Sequence, residues 1–254
     1  YDTEDLGFTS NPKNPSLRKA LIMAGGFGTR MKELTKDTPK PMLPLQDRPI
    51  LDYSIELCKR HGIKDISISI FHFGDKIKNH YGSGEKHDVN ITYVEEPEAM
   101  GTAGALRLHK HHLSENFMMC NADELKDINL HKMLDQHIKT NAIATIALTE
   151  VDDPSQYGVV DLDGTKILRF VEKPKKEEAP TNFINAGLYI LSPEIIDFVP
   201  QGYAMIEKDV FPKLAAIGAL HGFKFKGQWV DTGTIPKYEK AQTLWKGFKE
   251  DLEG

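Results

Sequence analysis

The sequence predicts an α/β fold, in which helices cover a parallel or mixed sheet. Length and composition are compatible with this fold, and the pattern of apolar runs and helical stretches predicts it. The 254 residues suffice for one large α/β domain or two small ones. The composition, 40% hydrophobic and 27% charged, is that of a globular protein. From Lys19 onward, short apolar runs alternate with longer stretches of helical periodicity, which is the pattern of strands separated by helices.

In the first half of this pattern, four apolar runs have the length of buried strands and end at polar residues or glycine. They cover residues 20–23, 66–71, 91–94 and 117–120. Residues 50–61 carry apolar side chains at helical spacing and stop before Gly62, a residue that tolerates the left-handed conformation after a helix. Residues 101–112 and 129–140 are predicted as further helices, and Asp127 is expected to cap the second of them.

The second half predicts a mixed sheet, because its strands follow one another through turns. The strands are expected at 142–149, 158–161, 167–171 and 183–191, with Asp163-Gly164 as one of the turns. One clear helix is expected at 207–217, and an amphipathic C-terminal helix at 237–252.

Charge and cysteine content exclude several classes of protein. The 32 Lys and Arg residues are outnumbered by 37 Asp and Glu residues, so a dedicated nucleic-acid surface is not expected. No apolar run reaches the ~18 residues of a membrane span. Cys58 and Cys120 are too few for a disulfide framework and lack metal-binding spacing. We therefore expect a cytoplasmic protein with both cysteines in the core.

The N-terminal segment, residues 1–18, is polar, contains two prolines and has no hydrophobic period. Because the sequence starts at Tyr1, we expect this segment to be a linker that follows an upstream module. A frayed terminus of the domain is an equally open interpretation.

A glycine-rich loop follows the first strand. Gly25, Gly26 and Gly28 allow a tight turn whose N–H groups can face an anion, and Arg30 and Lys40 can add positive charge. A phosphate group fits such a loop. The glycines alone would equally suit a structural strand-to-helix turn.

The longer string around this loop resembles the signature of the sugar-1-phosphate nucleotidyltransferases, and most of all that of the mannose-1-phosphate guanylyltransferases. The matching positions are Gly25, Gly26, Gly28, Thr29, Arg30, Met31, Leu34, Thr35, Pro39, Lys40, Pro41 and Met42. The resemblance extends from Lys19 to about Ala241. It implies a Rossmann-like three-layer sandwich with a mixed, mostly parallel central sheet and a smaller sugar-binding subregion. It also implies Mg²⁺ and the condensation of a nucleoside triphosphate with a sugar 1-phosphate.

This reaction brings several negative charges together, so it needs positioning and electrostatic neutralisation. We expect Arg30 to clamp pyrophosphate and Lys40 to approach the α-phosphate, with Ala24 and Thr29 joining the glycines at the nucleotide. Asp123 follows a buried strand, where α/β sheets bind ligands, and is the first candidate Mg²⁺ ligand. The resemblance of Trp229-Val230-Asp231-Thr232-Gly233-Thr234 to a family element implies Asp231 as the second.

Three further motifs resemble motifs of the same family, and this resemblance implies a sugar-phosphate site. They are Tyr157-Gly158-Val159-Val160, Glu172-Lys173-Pro174 and Asn185-Ala186-Gly187-Leu188-Tyr189, and they nominate Gly158, Glu172, Lys173 and Asn185. Side chains alternate along a strand, so Glu172 and Lys173 can share a ligand only if the strand ends there. The expected division is a nucleotide-binding part at about 19–140 and a sugar-binding part at about 141–236.

The base is expected near the segment 95–104, which resembles a family motif and nominates Glu95, Glu96, Gly101 and Thr102. Guanine presents two adjacent donors, which suit a carboxylate, so the acidic pocket favours GTP. Phe27 in the glycine loop also favours GTP, because the guanylyltransferases that the chain resembles often carry an aromatic residue there. The histidines at 109, 111 and 112 are expected at the surface and not in a metal cluster.

Several alternatives stay open at this point. The base could be uracil, thymine or cytosine, and the chain could be a regulatory relative that binds nucleotide sugars without making them. The sugar could be mannose or another manno-configured or amino sugar. The absent upstream portion could be a regulatory pair of cystathionine-β-synthase-type modules, and homo-oligomerisation is also open.

Overall fold

A computed structural model describes residues 16–26, 28–110 and 113–249. The chain builds a nine-stranded sheet and two small two-stranded sheets. The strands are β1 (Lys19–Met23), β2 (Pro44–Leu45), β3 (Arg48–Pro49), β4 (Asp65–Ile70), β5 (Asn90–Glu95), β6 (Phe117–Asn121), β7 (Glu124–Lys126), β8 (Ala144–Glu150), β9 (Gly158–Asp163), β10 (Lys166–Glu172), β11 (Phe183–Leu191), β12 (Leu220–Lys224) and β13 (Trp229–Asp231). The α-helices are α1 (Ile50–Arg60), α2 (Gly74–Tyr81), α3 (Gly101–Gly104), α4 (Leu130–Lys139), α5 (Phe211–Ala216) and α6 (Ile235–Leu244).

The large sheet has the order β5-β4-β1-β6-β11-β8-β12-β10-β9. Strands β5, β4, β1 and β6 are parallel, and β12 is parallel to β8. Strand β11 is antiparallel to both β6 and β8, and β10 is antiparallel to β12 and β9. The predicted α/β fold with a mixed sheet is therefore confirmed, but "mostly parallel" holds only for the first half. The second half is joined largely by short turns, which favour antiparallel pairing.

Both faces of the sheet are buried, because the strand side chains alternate between two apolar clusters. In β1, Ala20 and Ile22 pack on one face, with Leu51 and Ile55 of α1. Leu21 packs on the other face, with Phe211 of α5. A third cluster joins Met31 and the C-terminal segment at Trp245. Both cysteines are buried, as expected.

Several predicted elements have different limits. The helix expected at 101–112 is one α-turn, α3, followed by a 3₁₀ turn at Ala105–Arg107. The helix expected at 207–217 is split into a π-helical turn, Ile206–Val210, and α5, where Pro212 removes a backbone donor. The C-terminal helix begins at Ile235 and ends at Leu244, because Trp245 takes an extended conformation. Residues 250–252 of the predicted helix lie outside the described part.

Two single-residue expectations are wrong. Asn129, and not Asp127, caps α4: its side chain accepts a hydrogen bond from Lys132 N, whereas Asp127 accepts one from Lys249 N. His109 is fully buried beside the Ser67 hydroxyl, 2.9 Å from its Nδ1, and not at the surface. The other two histidines of that segment, at 111 and 112, lie outside the described residues.

The domain begins slightly before Lys19. Leu17 is only 4% exposed, and the Arg18 carbonyl accepts a hydrogen bond from Asp65 N. The end of the predicted linker is thus packed against the sheet, and residues 1–15 lie outside the described part. Among the described helices, none combines the length and the apolar character that a bilayer crossing requires.

Candidate active site

The glycine-rich loop leaves β1 at the carboxyl end of the parallel strands. Gly28 has a φ of 63°, in the left-handed region, and its carbonyl accepts a hydrogen bond from Thr35 Oγ1 at 2.8 Å. A Cβ on Gly28 would lie 3.0 Å from Thr35 Cγ2. The left-handed conformation therefore favours glycine here, and a side chain would also crowd Thr35. Phe27 lies outside the described residues, and its suggested link to GTP stays a prediction.

Lys40 is buried at the base of this loop. It lies between Pro39 and Pro41, at the start of the 3₁₀ turn Lys40–Met42, and is 8% exposed. Its Nζ donates a hydrogen bond to Asp123 Oδ2 at 2.8 Å. The two prolines restrict the backbone, so the ammonium group is held in place from both the chain and the carboxylate.

A cavity of about 390 Å³, cavity 1, opens between the glycine loop and the β6 end. This volume suits a small ligand. Its lining includes eleven residues that the sequence nominates: Ala24, Gly25, Gly26, Gly28, Thr29, Arg30, Lys40, Glu96, Gly101, Thr102 and Asp123. Glu95 is not brought to it. The Glu95 side chain is exposed and pairs with Lys78 at 3.2 Å, because neighbouring residues at the end of β5 point to opposite sides.

Glu96 is an acidic residue in the lining of cavity 1, next to Gly25 of the glycine loop. It is 8% exposed, and its Oε1 accepts a hydrogen bond from Ser69 Oγ at 3.2 Å. Burial raises the pKa of Glu96, although the hydrogen bonds from Ser69 and the Met100 backbone oppose the shift. A Cβ on Gly25 would lie 3.2 Å from Glu96 Oε2, so the loop backbone passes directly beside this carboxylate.

Asp123 follows β6 and lies between Lys40 and the short sheet formed by β7 and β13. Burial alone would raise the pKa of Asp123, but the charge and hydrogen bond of Lys40, with a further contribution from Lys126, lower it below its usual value. The carboxylate is therefore ionised at neutral pH.

Asp231 lies next to this position through the β7–β13 pairing. It is opposite Glu124 in the register, and Thr232 Oγ1 donates a hydrogen bond to the Asp123 carbonyl. Asp231 Oδ2 accepts from Lys237 Nζ at 2.6 Å, and its Oδ1 accepts from Gly233 N at 2.7 Å. Asp231 itself does not line cavity 1, whereas Gly233 does.

The carboxylates of Asp123, in the turn before β7, and of Asp231, on β13, are hard-oxygen donors of the kind that Mg²⁺ prefers. The lysines that hold them, Lys40 and Lys237, also keep these side chains in position. Asp123 and Asp231 therefore fit a divalent cation.

A second cavity of about 710 Å³, cavity 2, lies over the antiparallel half of the sheet. The nominated residues Gly158, Glu172 and Asn185 line it. Lys173 does not: β10 ends at Glu172, and Lys173 is exposed with a φ of 41°. Its backbone N–H donates to the Tyr157 carbonyl at 2.9 Å. Strand β10 thus ends at Glu172, which is the condition for Glu172 and Lys173 to share a ligand. The Lys173 side chain is nevertheless outside the cavity lining.

Cavities 1 and 2 meet at Asn121, the last residue of β6, which lines both. Sequence reasoning did not select it, although its place directly before Ala122 and Asp123 at a strand end was a usable signal. Glu124 was also missed. Burial and the nearby Asp123 and Asp231 carboxylates outweigh the opposing Lys126 and raise the pKa of Glu124 to about 8.

A chain of hydrogen bonds also links the two cavities. Asn185 Nδ2 donates to Tyr189 Oη at 3.0 Å, and Tyr189 donates to Glu207 Oε1 at 3.3 Å. The other Glu207 oxygen accepts from Thr102 Oγ1 at 3.3 Å. Asn185 belongs to cavity 2 and Thr102 to cavity 1, so Glu207 joins the two walls.

The chain is similar to known guanyl- and uridylyltransferases of sugar 1-phosphates. It is 40% identical over 233 residues to a mannose-1-phosphate guanyltransferase of Yarrowia lipolytica, covering 89% of this chain and 64% of that protein. It is 35% identical to a UTP--glucose-1-phosphate uridylyltransferase of Synechocystis, covering 88% of this chain and 62% of that protein. Its structure matches that of HddC from Yersinia pseudotuberculosis, complexed with GMP-PN, with a TM-score of 0.77, 29% identity and coverage of 89% and 98% of the two chains.

The chain thus spans a little under two thirds of the length of the two curated relatives. The model of the family described as "Nucleotidyl transferase" matches residues 19–246, which is nearly the whole described part. The chain therefore belongs to the nucleotidyl transferase family.

Proposed function

We propose that this chain transfers a nucleotidyl group, GMP by preference, from a nucleoside triphosphate to a sugar 1-phosphate, giving a nucleotide sugar and pyrophosphate. We propose mannose 1-phosphate, or another manno-configured or amino sugar phosphate, as the acceptor. The fold would be the Rossmann-like three-layer sandwich that the resemblance implies. The nucleotide would occupy the part at 19–140 and the sugar the part at 141–236.

One observation carries this proposal. Cavities 1 and 2 share Asn121, and the Lys40–Asp123 pair lies on the cavity 1 side of that junction. A triphosphate in cavity 1 and a sugar phosphate in cavity 2 would therefore bring their phosphates together beside a fixed cation and a fixed carboxylate. Such positioning is what this chemistry requires most.

In the proposed step, an oxygen of the sugar 1-phosphate attacks the α-phosphorus, a new P–O bond forms, and the bond between the α- and β-phosphates breaks. Pyrophosphate leaves with the displaced electron pair. The loop N–H groups and Arg30 would bind the departing pyrophosphate, and Lys40 would stabilise charge at the α-phosphate. Gly158, Glu172 and Asn185 would orient the sugar, and Lys173, whose side chain lies outside the lining, would pair with its phosphate from the rim.

Asp123 and Asp231 would hold Mg²⁺ through their carboxylate oxygens. When bound, the ion would offset the negative charge of the reacting phosphates. The base preference rests on Glu96, because a buried acceptor suits the adjacent N–H donors of guanine better than the single donor of uracil or thymine.

The test is a magnesium-dependent screen for pyrophosphate release, with GTP, UTP, dTTP and CTP against several sugar 1-phosphates. We expect release only when both substrates are present, with the highest kcat/KM for GTP. Preference for another triphosphate would replace the guanylyl assignment by the uridylyl, thymidylyl or cytidylyl alternative. Binding without release in every combination would favour a regulatory relative.

A further inference from the structure

Cavity 2 has three carboxylates in its lining, Glu124, Glu172 and Glu207. Two of these carboxylates already have a proposed role or hydrogen-bond partners. Glu172 belongs to a motif nominated for the sugar, and Glu207 uses both oxygens to accept hydrogen bonds from Tyr189 and Thr102. Glu124 has no assigned role in the proposed reaction.

The Glu124 carboxylate is held in the cavity wall with an unused acceptor. Its side chain is 17% exposed, and its Oε2 is buried without a hydrogen bond from any described residue. Lys126 Nζ lies 3.4 Å from this oxygen but donates its hydrogen bond to the Glu124 backbone carbonyl, at 3.2 Å. Lys126 Nζ therefore lies beside this oxygen without satisfying it as an acceptor.

The absence of a side chain at Gly187 makes room for this oxygen. A Cβ on Gly187 would lie 2.0 Å from Glu124 Oε2 and 3.0 Å from Asn121 Nδ2, and Gly187 has a φ of 71°. The register between β11 and β8 shifts between Asn185 and Tyr189, so Gly187 lies in an irregular part of the strand. Glu124 Oε2 and Asn121 Nδ2 can therefore both lie against Gly187, because this glycine carries no side chain. Asn121 is the residue at which cavities 1 and 2 meet.

A buried acceptor without a donor destabilises the protein, and a ligand that supplies the donor recovers that free energy. We propose that Glu124 is a specificity-determining residue, whose Oε2 accepts a hydrogen bond from a polar hydrogen, on a hydroxyl or an ammonium group, of the sugar bound in cavity 2. This inference rests on the proposed function, because it assumes that cavity 2 holds a sugar 1-phosphate.

The test compares kcat/KM for a panel of acceptors in the wild type, Glu124→Gln and Glu124→Ala. The panel contains hexose 1-phosphates, their 2-amino analogues, and their 2-deoxy and 6-deoxy analogues, all at saturating GTP and Mg²⁺. Glu194→Gln, on the exposed surface, is the matched control. The KM for GTP and the melting temperature report whether a variant has damaged the neighbouring Asp123 or the fold.

If the donor is an ammonium group, Glu124→Gln should lower kcat/KM at least about 10-fold for the amino sugar, with little change for the neutral sugars. If the donor is a hydroxyl, Glu124→Gln should stay near wild type, because its amide carbonyl can still accept. Glu124→Ala should then lose the roughly 10-fold or greater preference of the wild type for the hydroxylated sugar over one deoxy analogue.

Unchanged ratios in both variants for every pair of acceptors would overturn the assignment while leaving the proposed function in place. Absence of turnover by the wild type with every acceptor would overturn the proposed function, and the role of Glu124 with it. The KM for GTP should equal that of the wild type in both variants, since a merely structural or metal-linked role would change it.

Discussion

Lys40 Nζ donates a hydrogen bond to Asp123 Oδ2 at 2.8 Å, although the two residues are 83 positions apart in the chain. This bond joins the glycine-loop segment to the end of β6, and so connects the proposed pyrophosphate-binding loop to the proposed metal position. The lowered pKa of Asp123 follows from it. The pair is thus the structural centre of the proposed site.

Replacement of Asp123 by Asn should reduce turnover at least about 1,000-fold, because an amide cannot supply the charged oxygen that Mg²⁺ prefers. The amide oxygen can still accept from Lys40, so the protein should stay folded. Steady-state pyrophosphate release and thermal unfolding measure the two effects.

Asp231→Asn should act in the same way, while Asp88→Asn serves as the control, since Asp88 forms only an exposed pair with Lys64. Wild-type rates in either site variant at ordinary magnesium would show that the two aspartates are not the metal ligands.

Lys40→Ala and Lys173→Ala should affect different kinetic parameters. Lys40 is buried beside Asp123, where its charge would act mainly in the transition state, so its loss should lower kcat by about 100-fold or more. Lys173 is exposed at the end of β10, and its loss should mainly raise the KM for the sugar phosphate, by about 10-fold. Initial-rate kinetics with both substrates varied distinguish these outcomes. Similar changes of both parameters in both variants would refute this division of roles.

Glu96→Gln should weaken the preference for GTP. A glutamine offers one acceptor and one donor side, whereas guanine presents two adjacent donors to a carboxylate. We expect kcat/KM for GTP to fall about 10-fold or more and kcat/KM for UTP to change far less. Glu95→Gln is the matched control, because Glu95 lies outside the cavity and pairs with Lys78. An equal loss for both triphosphates would mean that Glu96 does not contact the base.

His137 should make the free energy of unfolding depend on pH. Its two ring nitrogens lie 2.7 Å from Thr145 Oγ1 and 2.9 Å from Ser192 Oγ, and burial lowers its pKa to about 4. Between its usual value of 6.5 and about 4, the unfolded chain binds a proton that the folded protein does not. The contribution of neutral His137 to the free energy of unfolding is therefore fully present above pH 6.5 and is lost as the pH falls towards about 4.

Urea unfolding at pH 7.5 and pH 5 measures this dependence. His137→Gln, which can bond to the same two hydroxyls, should reduce the loss of stability between these pH values by about 2 kcal/mol. Gln201→Ala, at an exposed position without a titratable side chain, should leave the loss unchanged. A loss in His137→Gln equal to that of the wild type would contradict the buried neutral state of His137.

The parallel half of the sheet is predictable from the sequence because its strands are short apolar runs with clear polar or glycine ends, as in β1 and β6. The three-residue strands β7 and β13 are not predictable in this way. Each is too short for a period, and each exists because the other is present, more than 100 residues away. Helix α2 was also missed. Its buried side chains, Ile77 and Tyr81, are too few to give a helical hydrophobic period.

The site was predictable where a residue belongs to a long motif. Arg30 and Lys40 belong to one signature, Glu96 belongs to a second motif and Asp123 follows β6, and the fold brings all four to cavity 1. Glu95 and Lys173 were nominated by neighbouring positions in their motifs, but sequence proximity does not settle which way a side chain points at the end of a strand. Glu124 could not be found from the sequence, because its significance depends on the space left by Gly187.

The most direct measurement of the central claim is the fate of GTP labelled with ³²P at the α-phosphate, incubated with the purified protein, Mg²⁺ and mannose 1-phosphate or another acceptor from the panel. We expect the label to appear in a nucleotide sugar, in equal amount to the pyrophosphate released, and chelation of Mg²⁺ to stop both. Label that remains in GTP with every acceptor, or that appears as free GMP in place of a nucleotide sugar, would contradict the central claim.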